Sequence, residues 1–139
     1  AAFNQPIGDW NVSSVTNMSG MFRYNRDFDQ PLNNWDVSGV TNMSGMFAET
    51  TAFNQPLSNW DVGNATNMYV MFLDNSFNQD ISSWNVSNVT RMELMFKNNT
   101  AFNQNLSSWS VNGVTNCTDF SVGTTSWILP QPTFTNCTP

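Results

Sequence analysis

The chain has 139 residues, ten acids against four bases, a net charge of −6 and only 10% charged residues, against about 25% in an average globular domain. That balance excludes a phosphate-backbone binder and a polybasic membrane contact, so no nucleic-acid partner is expected. With no run apolar enough to cross a bilayer and no histidine, direct membrane insertion, the commonest metal ligand and the commonest general base are also missing from the expectations.

In chain order, Ala1 and Ala2 read as the tail of a preceding repeat, matching Thr51-Ala52 and Thr100-Ala101. Nothing before Phe3 looks like a polar cap, so either a cap is missing or another chain is expected to stack there. Five copies of one motif follow, beginning at Phe3, Phe28, Phe53, Phe77 and Phe102, with spacings of 25, 25, 24 and 25. Tryptophan keeps step at Trp10, Trp35, Trp60, Trp84 and Trp109. A fixed period in this range predicts a repeat solenoid. Further apolar columns run through Ile7, Val12, Val15, Met18, Met21, Phe22 and their counterparts, and are read as core because each side chain can pack on its own copy in the next coil.

Spacing within a copy predicts the local structure. Met18, Met21 and Phe22 stand at i, i+3 and i+4, which predicts a short helical turn over Thr16 to Tyr24, capped by the threonine at its start. Thr41, Thr66, Thr90 and Thr115 repeat that position. Trp10-Asn11-Val12 alternates inward and outward and predicts a very short parallel strand. Pro6, Pro31 and Pro56 add a rigid bend. The Gln5 and Asn4 columns are read as amide ladders satisfying turn backbone. The pattern is one residue short between Phe72 and Phe77, which marks that stretch as a surface connection. The same stretch holds the most variable residues, and Arg23, Tyr24, Arg26, Glu49, Asp74 and Lys97 form the candidate interaction surface. An ordinary solvated loop is the alternative.

The repeats, residues 1–121, end at Ser121, and residues 122–139 break the pattern with Trp127, Ile128, Leu129 and Phe134 among prolines. This segment is expected to fold as a cap over the fifth coil. Cys117 and Cys137 read as a disulfide that would pin it, worth on the order of 3 kcal/mol for a loop of about 20 residues, and would imply an oxidising compartment. Two free buried thiols are the alternative, because Cys117 falls in a core column. N-x-S/T sequons stand at Asn11, Asn17, Asn42, Asn64, Asn85, Asn88, Asn98, Asn105, Asn116 and Asn136. Most were copied with the repeat. Asn64, Asn88 and Asn98 are less tied to a structural column. No cluster suggests catalysis. Asp36 and Asp61 share a column that Asn11 and Asn85 also occupy, as a turn cap would allow. No cofactor, no metal and no enzymatic activity are expected.

The pattern F-N-Q-P-L-x-x-W-D-V-S-x-V-T-N-M-x-x-M-F, clearest at Phe28 to Phe47, resembles the BspA-type leucine-rich-repeat surface proteins with the DUF285 repeat. The match runs from Phe3 to about Phe120 and departs at Gly63, Asn64, Ala65, Arg91 and Cys117. The resemblance implies an irregular leucine-rich-repeat-like solenoid, five coils of short strands and short helical turns, in an extracellular or cell-surface protein. The expected function is therefore a non-catalytic structural or adhesive module, with end-to-end self-association into filaments as its specific form. A carbohydrate- or protein-binding module using the variable loop edge is the other reading, with surface glycans or proteins as partners. Ice binding through the threonine column is a third, less economical than capping.

Overall fold

The computed structural model describes residues 3–139. The expectation attached to Ala1 and Ala2 lies outside them. Among the described residues there is no helix and no β-sheet, and the bridging pairs are single parallel contacts, Asn17–Asn42, Asn42–Asn67, Asn67–Arg91 and Arg91–Asn116. This overturns the expected fold. The chain is not a leucine-rich-repeat or BspA-like solenoid of short strands and helical turns, but an irregular body of tight turns and loops.

The physical reason lies in where the amides go. A helix would send each amide four residues back along its own chain. Here the amides of Met21, Arg23 and Asn25 turn back three residues, to the carbonyls of Met18, Gly20 and Phe22. The alternate amides, of Met18, Gly20, Phe22 and Tyr24, leave the segment and donate to Asn42, Ser44, Met46 and Ala48 in the next copy at 2.8–3.0 Å. The same alternation recurs from Met43 to Glu49, Met68 to Asp74 and Met92 to Asn98. Left-handed residues make it possible: Gly20 and Tyr24, Gly45 and Glu49, Val70 and Asp74, then Leu94 and Asn98 all have φ between 49° and 65°. A string of turns thus produces the i, i+3, i+4 spacing that suggested a helix. The expected strand at Trp10-Asn11-Val12 fails for a similar reason: Trp10 donates to Ile7 and Val15 to Val12, so both ends are tight turns.

The caps differ too. Asn17, Asn42 and Asn67, through Oδ1, accept the amides of Ser19, Ser44 and Tyr69 at 2.9–3.0 Å. The threonines instead lie exposed, and the Oγ1 of Thr41, Thr66 and Thr90 donates to the threonine carbonyl of the copy before.

Side chains close the interior. One rank of rings, Phe3, Phe28, Phe53, Phe77 and Phe102, stacks with centroids 6.0–6.2 Å apart. A second, Phe22, Phe47, Phe72 and Phe96, stacks at 5.4–5.6 Å and touches the first at 4.2–4.4 Å. Offset aromatic contacts of this kind add to the area they bury. Trp35, Trp60, Trp84 and Trp109 are buried, and each indole N–H donates to a carbonyl one copy earlier, those of Ile7, Leu32, Leu57 and Ile81. Burial therefore leaves no indole donor unpaired. Trp10 stands outside this arrangement and is 55% exposed.

The last segment follows the path of a further copy. Trp127 lies 25 residues beyond Phe102 and packs on it edge-to-face at 4.7 Å. Asn103 Oδ1 accepts the Ile128 and Leu129 amides, Leu106 donates to Pro130, and Asn136 Nδ2 donates to Asn112. Cys117 and Cys137 are joined by a disulfide. These contacts cover the fifth copy, so this end is not an open docking face, and the strand-and-helix stack that end-to-end filaments require is absent among the described residues. The structural or adhesive filament reading, which rests on that architecture, is corrected with the fold.

Two outcomes follow for stability. Tyr24→Gly removes an exposed side chain from a left-handed position, and should raise stability by about 1 kcal/mol in urea unfolding. Phe53→Ala, in the fully buried rank, should lower it by about 3–5 kcal/mol in the same assay.

Candidate functional site

The variable edge is built by the left-handed turns. Tyr24, Glu49, Asp74 and Asn98 occupy corresponding positions, and each amide is fixed to a neighbouring carbonyl, those of Ala48, Leu73, Lys97 and Val122. The edge is thus a row of side chains displayed from a hydrogen-bonded backbone, and not a free loop. Arg23, Tyr24 and Arg26 are exposed, while Glu49, Asp74 and Lys97 are half-buried. The Arg23 guanidinium lies 4.9 Å over the Tyr24 ring, and Arg26 pairs with Glu49 at 3.3 Å. Arg23 and Arg26 remain exposed in these contacts, and surface contacts of this kind stabilise little. A depression of about 220 Å³ opens beside them, lined by Phe3, Arg23, Tyr24 and Asn25. Three of the four cations of the chain, Arg23, Arg26 and Lys97, lie along this edge.

Not all of the variable stretch faces water. Thr50, Asn75 and Asn99 are buried. Thr50 Oγ1 donates to the Phe22 carbonyl at 2.6 Å, and Asn75 Nδ2 to that of Phe47 at 3.1 Å. Asn99 Nδ2 donates to Asn75 Oδ1 and to the Phe77 carbonyl, and its Oδ1 accepts the amides of Ala101 and Phe102. This polar column ties the edge to the aromatic ranks. Where the third copy is short, Asn75 Oδ1 accepts the Phe77 amide only two residues on, which absorbs the deletion. The signal was present as an Asn or Thr two or three residues before each phenylalanine, but a short polar residue there reads equally as a surface turn.

A second cluster interrupts the asparagine column. Arg91 stacks 5.0 Å over Tyr69 and pairs with Glu93 at 2.7 Å. The Glu93 carboxylate, through hydrogen bonding and charge, raises the Arg91 pKa. The Asn4 and Gln5 columns form cross-copy bonds: Asn4 Oδ1, for example, accepts the Asp29 amide at 3.0 Å and the Gln30 amide group at 2.9 Å.

The acids stand apart from any such centre. Asn11, Asp36, Asp61 and Asn85 all use Oδ1 to accept the amide two residues on, so this column shapes turns. Hydrogen bonds from the Ser38 hydroxyl and amide hold Asp36 below the ordinary aspartate value, and those of Ser82 do the same for Asp80. Among the described residues no group of three or more acids or cysteines could hold a metal ion. The sequon asparagines other than Asn42 are exposed.

The chain belongs to the DUF285 family, described as Mycoplasma protein of unknown function: the family model matches residues 1–76 and 73–127. No curated protein matches the chain. No solved structure matches it either.

Asn99→Ala leaves buried donors and an acceptor unpaired and should cost about 2–3 kcal/mol by urea unfolding. A group with a depressed folded pKa stabilises above its unfolded pKa, and loses that contribution as pH falls through the folded value. Asp36→Asn with Asp80→Asn should therefore flatten the fall in stability as the pH drops below the ordinary aspartate value, measured by thermal melts.

Proposed function

We propose that the chain is a non-catalytic recognition module of a protein acting outside the cell, and that it binds surface glycans or proteins through the edge bearing Arg23, Tyr24, Arg26, Glu49, Asp74 and Lys97. The observation that carries this reading is the fixed backbone under variable side chains. Tyr24, Glu49 and Asp74 are held in left-handed turns with their amides bonded across to the next copy, and the amides of Arg23 and Lys97 close turns within their own copies, so little ordering is lost when a partner docks. Arg23 and Arg26 stand together at the first copy of an otherwise acidic chain, which favours a partner with carboxylate or sulfate groups, steered by charge.

The Cys117–Cys137 bond supports the location, since disulfides persist in oxidising compartments. Membership of the surface-protein branch of the family is part of the same proposal. The test is a titration of the labelled chain onto arrays of acidic and neutral glycans and onto surface proteins of the source cells. Arg23→Ala with Arg26→Ala and Lys97→Ala should weaken binding tenfold or more, and rising salt should weaken the parent chain. Binding that survives both would place the site elsewhere, and no binding to either class would overturn the reading.

A further inference from the structure

The ten sequons are equivalent in sequence but not in what the fold asks of them. Eight of the asparagines are committed by side-chain hydrogen bonds. Asn11, Asn17, Asn42, Asn85 and Asn105 accept turn amides through Oδ1. Asn64, Asn88 and Asn136 donate through Nδ2, the atom a glycan would occupy, to the carbonyls of Ser38, Gly63 and Asn112. Asn98 and Asn116 differ from all of these. Both are exposed, both are followed at the third position by an exposed threonine, Thr100 and Thr118, and neither carboxamide makes a hydrogen bond among the described residues.

Their sequence context sharpens the contrast. Asn98 corresponds to Tyr24, Glu49 and Asp74, so its sequon is not part of the repeat. Its backbone is held at φ 59° with the amide bonded to Val122, and its side-chain oxygen lies beside Gly123 without a hydrogen-bond partner among the described residues. Asn116 ends a column in which Asn17, Asn42 and Asn67 cap turns, and it alone among those asparagines caps nothing.

We infer that Asn98 and Asn116 are attachment sites for N-linked glycans, an inference that rests on the extracellular reading above. The donor is an oligosaccharide carried on a polyprenyl diphosphate. Asparagine Nδ2 forms a bond to the anomeric carbon, the bond from that carbon to the diphosphate oxygen breaks, polyprenyl diphosphate leaves, and Nδ2 gives up one proton. No electron transfer is involved. A hydrophilic, bulky group at these two positions fits exposed asparagines and displaces no bond that the fold uses.

The test is glycopeptide mapping of the protein isolated from its source cells, with the disulfide state and cell fraction read from the same sample. The expected result is glycan on Asn98 and Asn116 in disulfide-bonded, extracellular protein. In a eukaryotic secretory host, Asn98→Gln and Asn116→Gln should each remove one glycan mass with no change in melting temperature. Extracellular, disulfide-bonded protein bare at both sites would overturn the inference and leave the extracellular reading standing. Intracellular protein with free thiols would overturn both.

Discussion

Half of the amides in each turn segment cannot be satisfied by their own copy. Left-handed residues at two positions per copy turn every second N–H outward, and a neighbouring copy must supply the carbonyl. Buried backbone donors are costly when unpaired, so one copy cannot hold its conformation alone. The aromatic ranks, the indole N–H bonds and the asparagine–glutamine columns all repeat at the spacing this exchange imposes. Packing and hydrogen bonding are therefore consequences of one constraint, that neighbouring copies complete each other's backbone.

Much of the interior was legible in the sequence, because a residue that stacks on its own copy must recur with the period. The phenylalanine, tryptophan, valine and methionine columns show this, and most of their members are buried. The local conformation was not legible. Met18, Met21 and Phe22 fall on one side of a helix and equally on one side of a string of turns, and periodicity cannot separate the two. The decisive cue is a left-handed φ. Glycine announces it at Gly20 and Gly45, but Val70, Leu94, Tyr24 and Glu49 hide it, since such residues normally avoid that region. The tail was hard to read for a different reason: Trp127 replaces phenylalanine with a larger ring in the corresponding slot, so the pattern is followed in space while it is lost in sequence.

The candidate edge was partly legible. Variability marked the right stretch, yet it could not divide that stretch into displayed and buried positions. Arg23, Tyr24 and Arg26 face solvent, whereas Thr50, Asn75 and Asn99 turn inward to bond main-chain carbonyls. The division has a functional consequence. Variation at the exposed positions alters the surface, while the polar column beneath keeps the turns in place. The same logic separates sequon asparagines that shape turns from those whose carboxamides make no hydrogen bond.

The most direct measurement is an NMR experiment that detects scalar coupling across hydrogen bonds, on uniformly labelled protein. The account predicts correlations from the amides of Met43, Gly45, Phe47 and Glu49 to the carbonyls of Asn67, Tyr69, Met71 and Leu73, alternating with correlations from Met46, Ala48 and Thr50 to Met43, Gly45 and Phe47. Consecutive correlations running four residues back through this segment would instead show a helix, and would contradict the backbone exchange on which the structure depends.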